Sequence, residues 1–81
     1  MKPFGSTKYE HYHVSLYRVG DSERSFPVVL KTEEYWQAIA MCVTDQTENA
    51  YVIYKEDGNG HFTADSVWRN GQRKWQREYE D

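Results

Sequence analysis

The stretch Phe26-Pro27-Val28-Val29-Leu30-Lys31-Thr32-Glu33-Glu34-Tyr35-Trp36-Gln37-Ala38-Ile39-Ala40-Met41-Cys42-Val43-Thr44-Asp45-Gln46 changes its hydrophobic period halfway along. Up to Lys31, the residues Phe26, Val28 and Leu30 alternate with Pro27, Val29 and Lys31, the pattern of a half-buried strand. Pro27 has no N–H to give to a ladder, so this strand is expected at a sheet edge or with its Pro27 nitrogen turned outward. From Tyr35 the spacing becomes helical. At about 100° per residue, Tyr35, Trp36, Ala38, Ile39, Cys42 and Val43 share one face, and Glu33, Glu34, Gln37, Thr44 and Asp45 take the other. Thr32 is a good N-cap, with Glu33 and Glu34 set where carboxylates favour the helix dipole. An amphipathic helix needs a sheet to lie on, so the fold class is α+β.

The flanks supply that sheet. Upstream, Tyr12, Val14 and Leu16 alternate with His13, Ser15 and Tyr17, which predicts a strand, and Gly20-Asp21-Ser22-Glu23 supplies the turn after it. Downstream, Ala50 to Glu56 is β-rich (Tyr51, Val52, Ile53, Tyr54) and stops at Asp57-Gly58-Asn59-Gly60, a hairpin loop. His61 to Arg69 follows as a fourth strand. Asn70-Gly71 suits a type I′ turn, because both residues tolerate positive φ, and so predicts a fifth strand over Gln72 to Tyr79. The composition of that last segment would equally suit a short helix, but an isolated helix of about ten residues is marginal in water, so strand is preferred. The expected order is β-β-α-β-β-(β), an antiparallel sheet of four to five strands with one helix.

The 81 residues, taken as 1–81, make a single small domain with residues 1–8 as an N-terminal tail. With 38% hydrophobic and 28% charged residues the composition is globular. A single cysteine, Cys42, excludes an internal disulfide framework and a multi-cysteine zinc site. No apolar run approaches the ~18 residues of a membrane span, and nothing after Lys2 reads as a signal peptide. Together these features predict a cytoplasmic protein with no membrane partner.

Charge is unevenly placed. Residues 1–68 hold six Lys/Arg against ten Asp/Glu, whereas residues 69–77 hold Arg69, Arg73, Lys74 and Arg77 and no acid. This basic island coincides with the terminal hairpin. If Asn70 and Gly71 form a two-residue loop, Arg69 faces Gln72, Trp68 faces Arg73 and Ser66 faces Trp75. Alternation then gathers Phe62, Ala64, Ser66, Trp68, Arg73, Trp75, Arg77 and Tyr79 on one face. The structural reading makes these rings the core under the helix, with arginine stems laid over them. The functional reading makes them an exposed platform. Trp, Tyr and Arg dominate protein hot spots, and rings with guanidinium groups also stack unpaired bases. On the functional reading the contact residues are Trp68, Arg69, Arg73, Lys74, Trp75, Arg77 and Tyr79. A protein partner is preferred over nucleic acid, because a pI near 5.5 is unlike the strongly basic domains that coat nucleic acid. Glu33, Glu34, Asp45 and Glu48 form a secondary acidic surface around the helix.

The sequence points away from catalysis. His11 and His13 point to one face of a strand, but a zinc site needs a third ligand and nothing brings His61 near, so no metal and no cofactor are expected. Cys42 lies on the apolar helix face without a basic partner, as a small hydrophobe does. No carboxylate sits in an apolar setting fit for general-acid work. Asp57-Gly58-Asn59-Gly60 is too short for a calcium loop and lacks its bidentate glutamate.

A hairpin, a helix opened by Thr32-Glu33-Glu34, and the strand Tyr51-Val52-Ile53-Tyr54-Lys55-Glu56-Asp57-Gly58 resemble the small acidic proteins that phages encode to disable host machinery, including type I anti-CRISPR proteins. The resemblance spans Tyr12 to Gly58. It implies a non-catalytic inhibitor that occludes a surface of a larger host complex, and it assigns no residue roles. Two other classes stay open at this stage: a single-stranded nucleic-acid binder using the terminal hairpin, and a homodimer joined through edge strands.

Overall fold

The computed structural model describes residues 11–20 and 27–79. The expected tail over 1–8, the turn at Asp21-Ser22-Glu23 and Phe26 lie outside them. Five strands and one helix follow in the order β1 (His11–Tyr17), β2 (Val28–Thr32), α1 (Tyr35–Thr44), β3 (Ala50–Glu56), β4 (Phe62–Arg69) and β5 (Gln72–Gln76). They build one sheet of order β2-β1-β3-β4-β5, antiparallel throughout. The α+β class and the strand-then-helix switch are as the sequence predicts. β2 lies at an edge, where Pro27 gives up no ladder bond; its carbonyl accepts the Leu16 N–H at 3.0 Å.

β1 sits between β2 and β3, so α1 must cross β1 to connect them. That crossing lays the helix on one side of the sheet. Ala38 and Cys42 are its buried contacts, against Val14, Leu16, Tyr51, Ile53 and Trp68. Tyr35, Ile39 and Met41 pack at the margin. The apolar stripe is narrower than the sequence implied. Trp36 is 64% exposed and Val43 is also exposed, because a ten-residue helix on a twisted sheet touches it along a short line. Helix entry differs by two residues as well. The N-cap is Glu34, and Thr32 acts one step earlier, its Oγ1 accepting the Glu34 N–H at 3.0 Å.

The two hairpin loops predicted at Asp57-Gly58-Asn59-Gly60 and Asn70-Gly71 are present. Asn70 (φ 57°) and Gly71 (φ 72°) form the two-residue connection that sets Arg69 opposite Gln72. At the other hairpin the Glu56 carboxylate accepts the N–H groups of Gly58 and Gly60, while Asp57 accepts that of Asn59. β5 ends at Gln76, three residues short of the predicted Tyr79.

The ladders are not regular. Val14 pairs with Leu30 and Ser15 with Val28, which leaves Val29 as an extra residue. Ile53 pairs with Ser66 and Tyr54 with Ala64, leaving Asp65 extra. Trp68 pairs with Arg73 and Val67 with Trp75, leaving Lys74 extra. Each is a β-bulge, which puts two residues opposite one and breaks strict alternation.

Candidate functional site

These bulges redistribute the predicted platform. Ser66, Trp68 and Arg73 share the rows of Ile53 and Tyr51, on the helix side. Phe62 and Ala64 share the rows of Glu56 and Tyr54, and Trp75 that of Val67 and Val52, on the opposite side. The single aromatic–arginine face expected from alternation is therefore split in two. Trp68 is core (7% exposed), its indole N–H donating to Ser66 Oγ at 2.9 Å, with Arg73 laid 5.9 Å over the ring. Trp75 is 44% exposed on the other side, with the Arg77 guanidinium 5.6 Å above it. Arg77 is fixed there by its Nε, which donates to the Ala64 carbonyl at 2.6 Å.

Asp65, the extra residue of the second bulge, knots the helix side. It is 3% exposed and accepts hydrogen bonds from the hydroxyls of Tyr35 (2.5 Å), Tyr79 (2.6 Å) and Ser66 (3.0 Å). Burial pushes its carboxyl up, but these bonds outweigh burial and hold it below the ordinary aspartate value. Burial and the bond to Asp65 together push Tyr35 up to about 12. Tyr79, one of the expected contact residues, is exposed, with its hydroxyl bonded to Asp65 and the Lys55 ammonium 4.8 Å from its ring.

The predicted acidic surface is divided as well. Glu33 and Glu34 precede the helix, whereas Asp45 and Glu48 follow it, about 15 Å away along a ten-residue helix. Asp45 is engaged in the structure: Thr47, Tyr51 and Asn49 donate to it, and the bonds from Thr47 and Tyr51 lower its carboxyl to about 2. Cys42 is fully buried, and burial raises its thiol to about 12. His11 lies between two acids, with Nδ1 3.3 Å from Glu56 and Nε2 3.7 Å from Glu33. His61 faces Asp57 at 3.1 Å, in the loop. Among the described residues no group of three or more His, Cys, Asp or Glu side chains is placed to hold a metal ion.

What stands out is the side of the sheet that α1 does not cover. Its middle holds a cleft of about 300 Å³ lined by His13, Ser15, Tyr17, Val28, Tyr54 and Phe62. The rings of His13 and Phe62 meet at 5.0 Å with a 56° tilt, and the hydroxyls of Tyr17 and Tyr54 share a hydrogen bond of 3.1 Å. Burial and that bond raise Tyr17 to about 12. Burial, then Lys31, lower the His13 imidazole below its usual value, so it is neutral near pH 7. Of the predicted contact residues, Arg69 and Trp75 reach this face by register, and Arg77 through its stack on Trp75. Lys74 joins them, its ammonium donating to the Gln72 side chain at 3.1 Å. Of the cleft residues, His13, Ser15 and Tyr17 form one alternating set in the sequence. The pairing of β1 with β3 brings Tyr54 beside them, and the bulge at Val29 moves Val28 to this side, away from Leu30, with which strict alternation groups it.

Comparison with known proteins finds no protein family, no curated protein and no solved structure that matches the chain. Among the described residues no helix is long and apolar enough to cross a membrane.

Proposed function

We propose that this protein is a non-catalytic binding domain that uses its uncovered sheet face to occlude a surface of a larger protein complex, as the phage-encoded inhibitors it resembles do. One observation carries the reading. The helix covers one side of the sheet, while the other side leaves Val28, Phe62 and Trp75 between 44% and 54% exposed, in a field of Tyr and Arg. Large exposed apolar groups rimmed by polar ones mark interaction surfaces, and Tyr, Trp and Arg are the residues that anchor them. Two reactive groups are kept away from that face. Cys42 is sealed in the core, and Asp65 is saturated by hydroxyl donors.

Immobilised protein and bacterial lysate provide the test. Capture of a stoichiometric partner should be lost in a Phe62→Glu, Trp75→Glu variant and kept in Trp36→Glu, which alters the exposed ring on the helix side. Capture that ignores the first variant overturns the proposal. Self-association through the edges of β2 or β5 would use backbone rather than this face, and would survive the same variant as a doubled mass in light scattering.

A further inference from the structure

We infer that the cleft between β1 and β3 receives an aromatic side chain carried on an acidic segment of the protein partner. This rests on the open-face reading above and adds the chemistry of the partner. The cleft, at about 300 Å³, lies at the lower end of the range of ~300–1,000 Å³ for small-molecule sites, which is room for one ring rather than an extended ligand. Its walls carry four rings, from His13 tilted on Phe62 to Tyr17 and Tyr54, which are joined through their hydroxyls. Offset and edge-to-face contacts with a fifth ring are the arrangements such walls favour. The Tyr17–Tyr54 bond and the His13–Phe62 contact hold those walls in place beforehand, so little side-chain freedom is lost when the cleft is filled.

The charge around the cleft selects what flanks the ring. Lys31 stands opposite His13 in the β1–β2 ladder, and Arg69 lies in the row of Ala50 and Tyr17. Lys74 and Arg77 extend this positive rim along β5 and beyond it. Glu56 lies in the outer row with Phe62, but it is committed to His11 and to the loop N–H groups of Gly58 and Gly60. Lys31, Arg69, Lys74 and Arg77 thus outnumber Glu56 on this face although the chain as a whole carries −3, and they fit carboxylates beside the inserted ring. A nucleic-acid strand offers rings and negative charge too. It needs successive stacking faces along a basic track, however, and the bulges have put Trp68 and Arg73 on the other side of the sheet.

An acetylated peptide with one phenylalanine between glutamates, titrated into the 15N-labelled full chain, tests this. Amide shifts should concentrate on β1, β3 and Phe62, and saturate. Replacing the peptide phenylalanine by alanine, or the cleft wall by Phe62→Ala, should weaken binding by about tenfold or more. Lys31→Glu with Arg69→Glu should weaken it by about fivefold and flatten its salt dependence. The inference is overturned if the shifts do not depend on the peptide ring, if there are none, or if oligothymidylate displaces the peptide from the same residues. The two readings separate cleanly. If partner capture needs Phe62 and Trp75 but the peptide does not bind, the cleft inference falls and the open-face proposal stands; if capture ignores those residues, both fall.

Discussion

Asp65 shows how one side chain organises its surroundings. It is an extra residue in β4, its carboxylate turned under the helix, where Tyr35 from α1 and Tyr79 from the chain after β5 both donate to it. Removing it leaves three hydroxyls, those two and that of Ser66, without their charged acceptor. Asp65→Ala should therefore destabilise the domain by about 3 kcal/mol, read as a lower urea midpoint at unchanged slope. The pH dependence has a definite sign. The folded carboxyl titrates below the unfolded value of about 3.9, so its contribution is complete above that value and disappears as pH falls through the lower, folded one. Asp65→Asn should flatten the acid limb of a Tm-against-pH curve below about pH 4, with Asp45, Glu56 and Asp57, all likewise lowered, supplying what remains. In the sequence Asp65 is an ordinary polar position in a strand. Nothing local marks it, since its two tyrosine donors come from 30 residues before and 14 after.

Among the elements, the terminal hairpin repays the closest reading. Its turn was legible because Asn70-Gly71 is a local signal: backbone sterics alone demand residues that accept positive φ there. The turn also touches the helix end. A Cβ on Gly71 would lie 3.2 Å from the Val43 carbonyl oxygen and 3.3 Å from Gln46 Cγ. Gly71→Ala thus meets both a left-handed backbone and a crowded neighbour, and should cost about 1–2 kcal/mol. Gly20→Ala, whose glycine also has positive φ but open space around the added carbon, isolates the backbone share; thermal melts of the two variants measure the difference. The same hairpin shows where sequence reading stops. The pairing of Trp68 with Arg73 follows from the turn, but that of Val67 with Trp75 depends on the bulge at Lys74. Strand period says nothing about where a ladder will admit an extra residue. The helix was legible for a comparable reason: the shift from alternate to helical spacing at Thr32 is local, whereas the exposure of Trp36 depends on how α1 lies across the sheet.

For the whole molecule, the two sides of the sheet divide the labour. One side carries a core of Val14, Leu16, Ala38, Cys42, Tyr51, Ile53 and Trp68 sealed by the helix; the other carries the cleft. The three tryptophans report on this division, since Trp68 is 7% exposed while Trp36 and Trp75 lie open. A Trp36→Phe, Trp75→Phe variant should emit at shorter wavelength than the parent and resist acrylamide quenching several-fold better until it unfolds. Equal quenching of the two would mean that Trp68 is not core. The same division makes the molecule sensitive to chain length in an uneven way. Val29, Asp65 and Lys74 work like leap days in a calendar, each absorbing one residue so that those beyond keep their side. Loss of Lys74 would leave Trp75 still opposite Val67 and facing the cleft side. Loss of a neighbour from the regular ladder would put the calendar out, sending buried rings to water and surface charges inward. Single-residue deletions within these strands should therefore be tolerated, as far as facing is concerned, at these three positions and at few others.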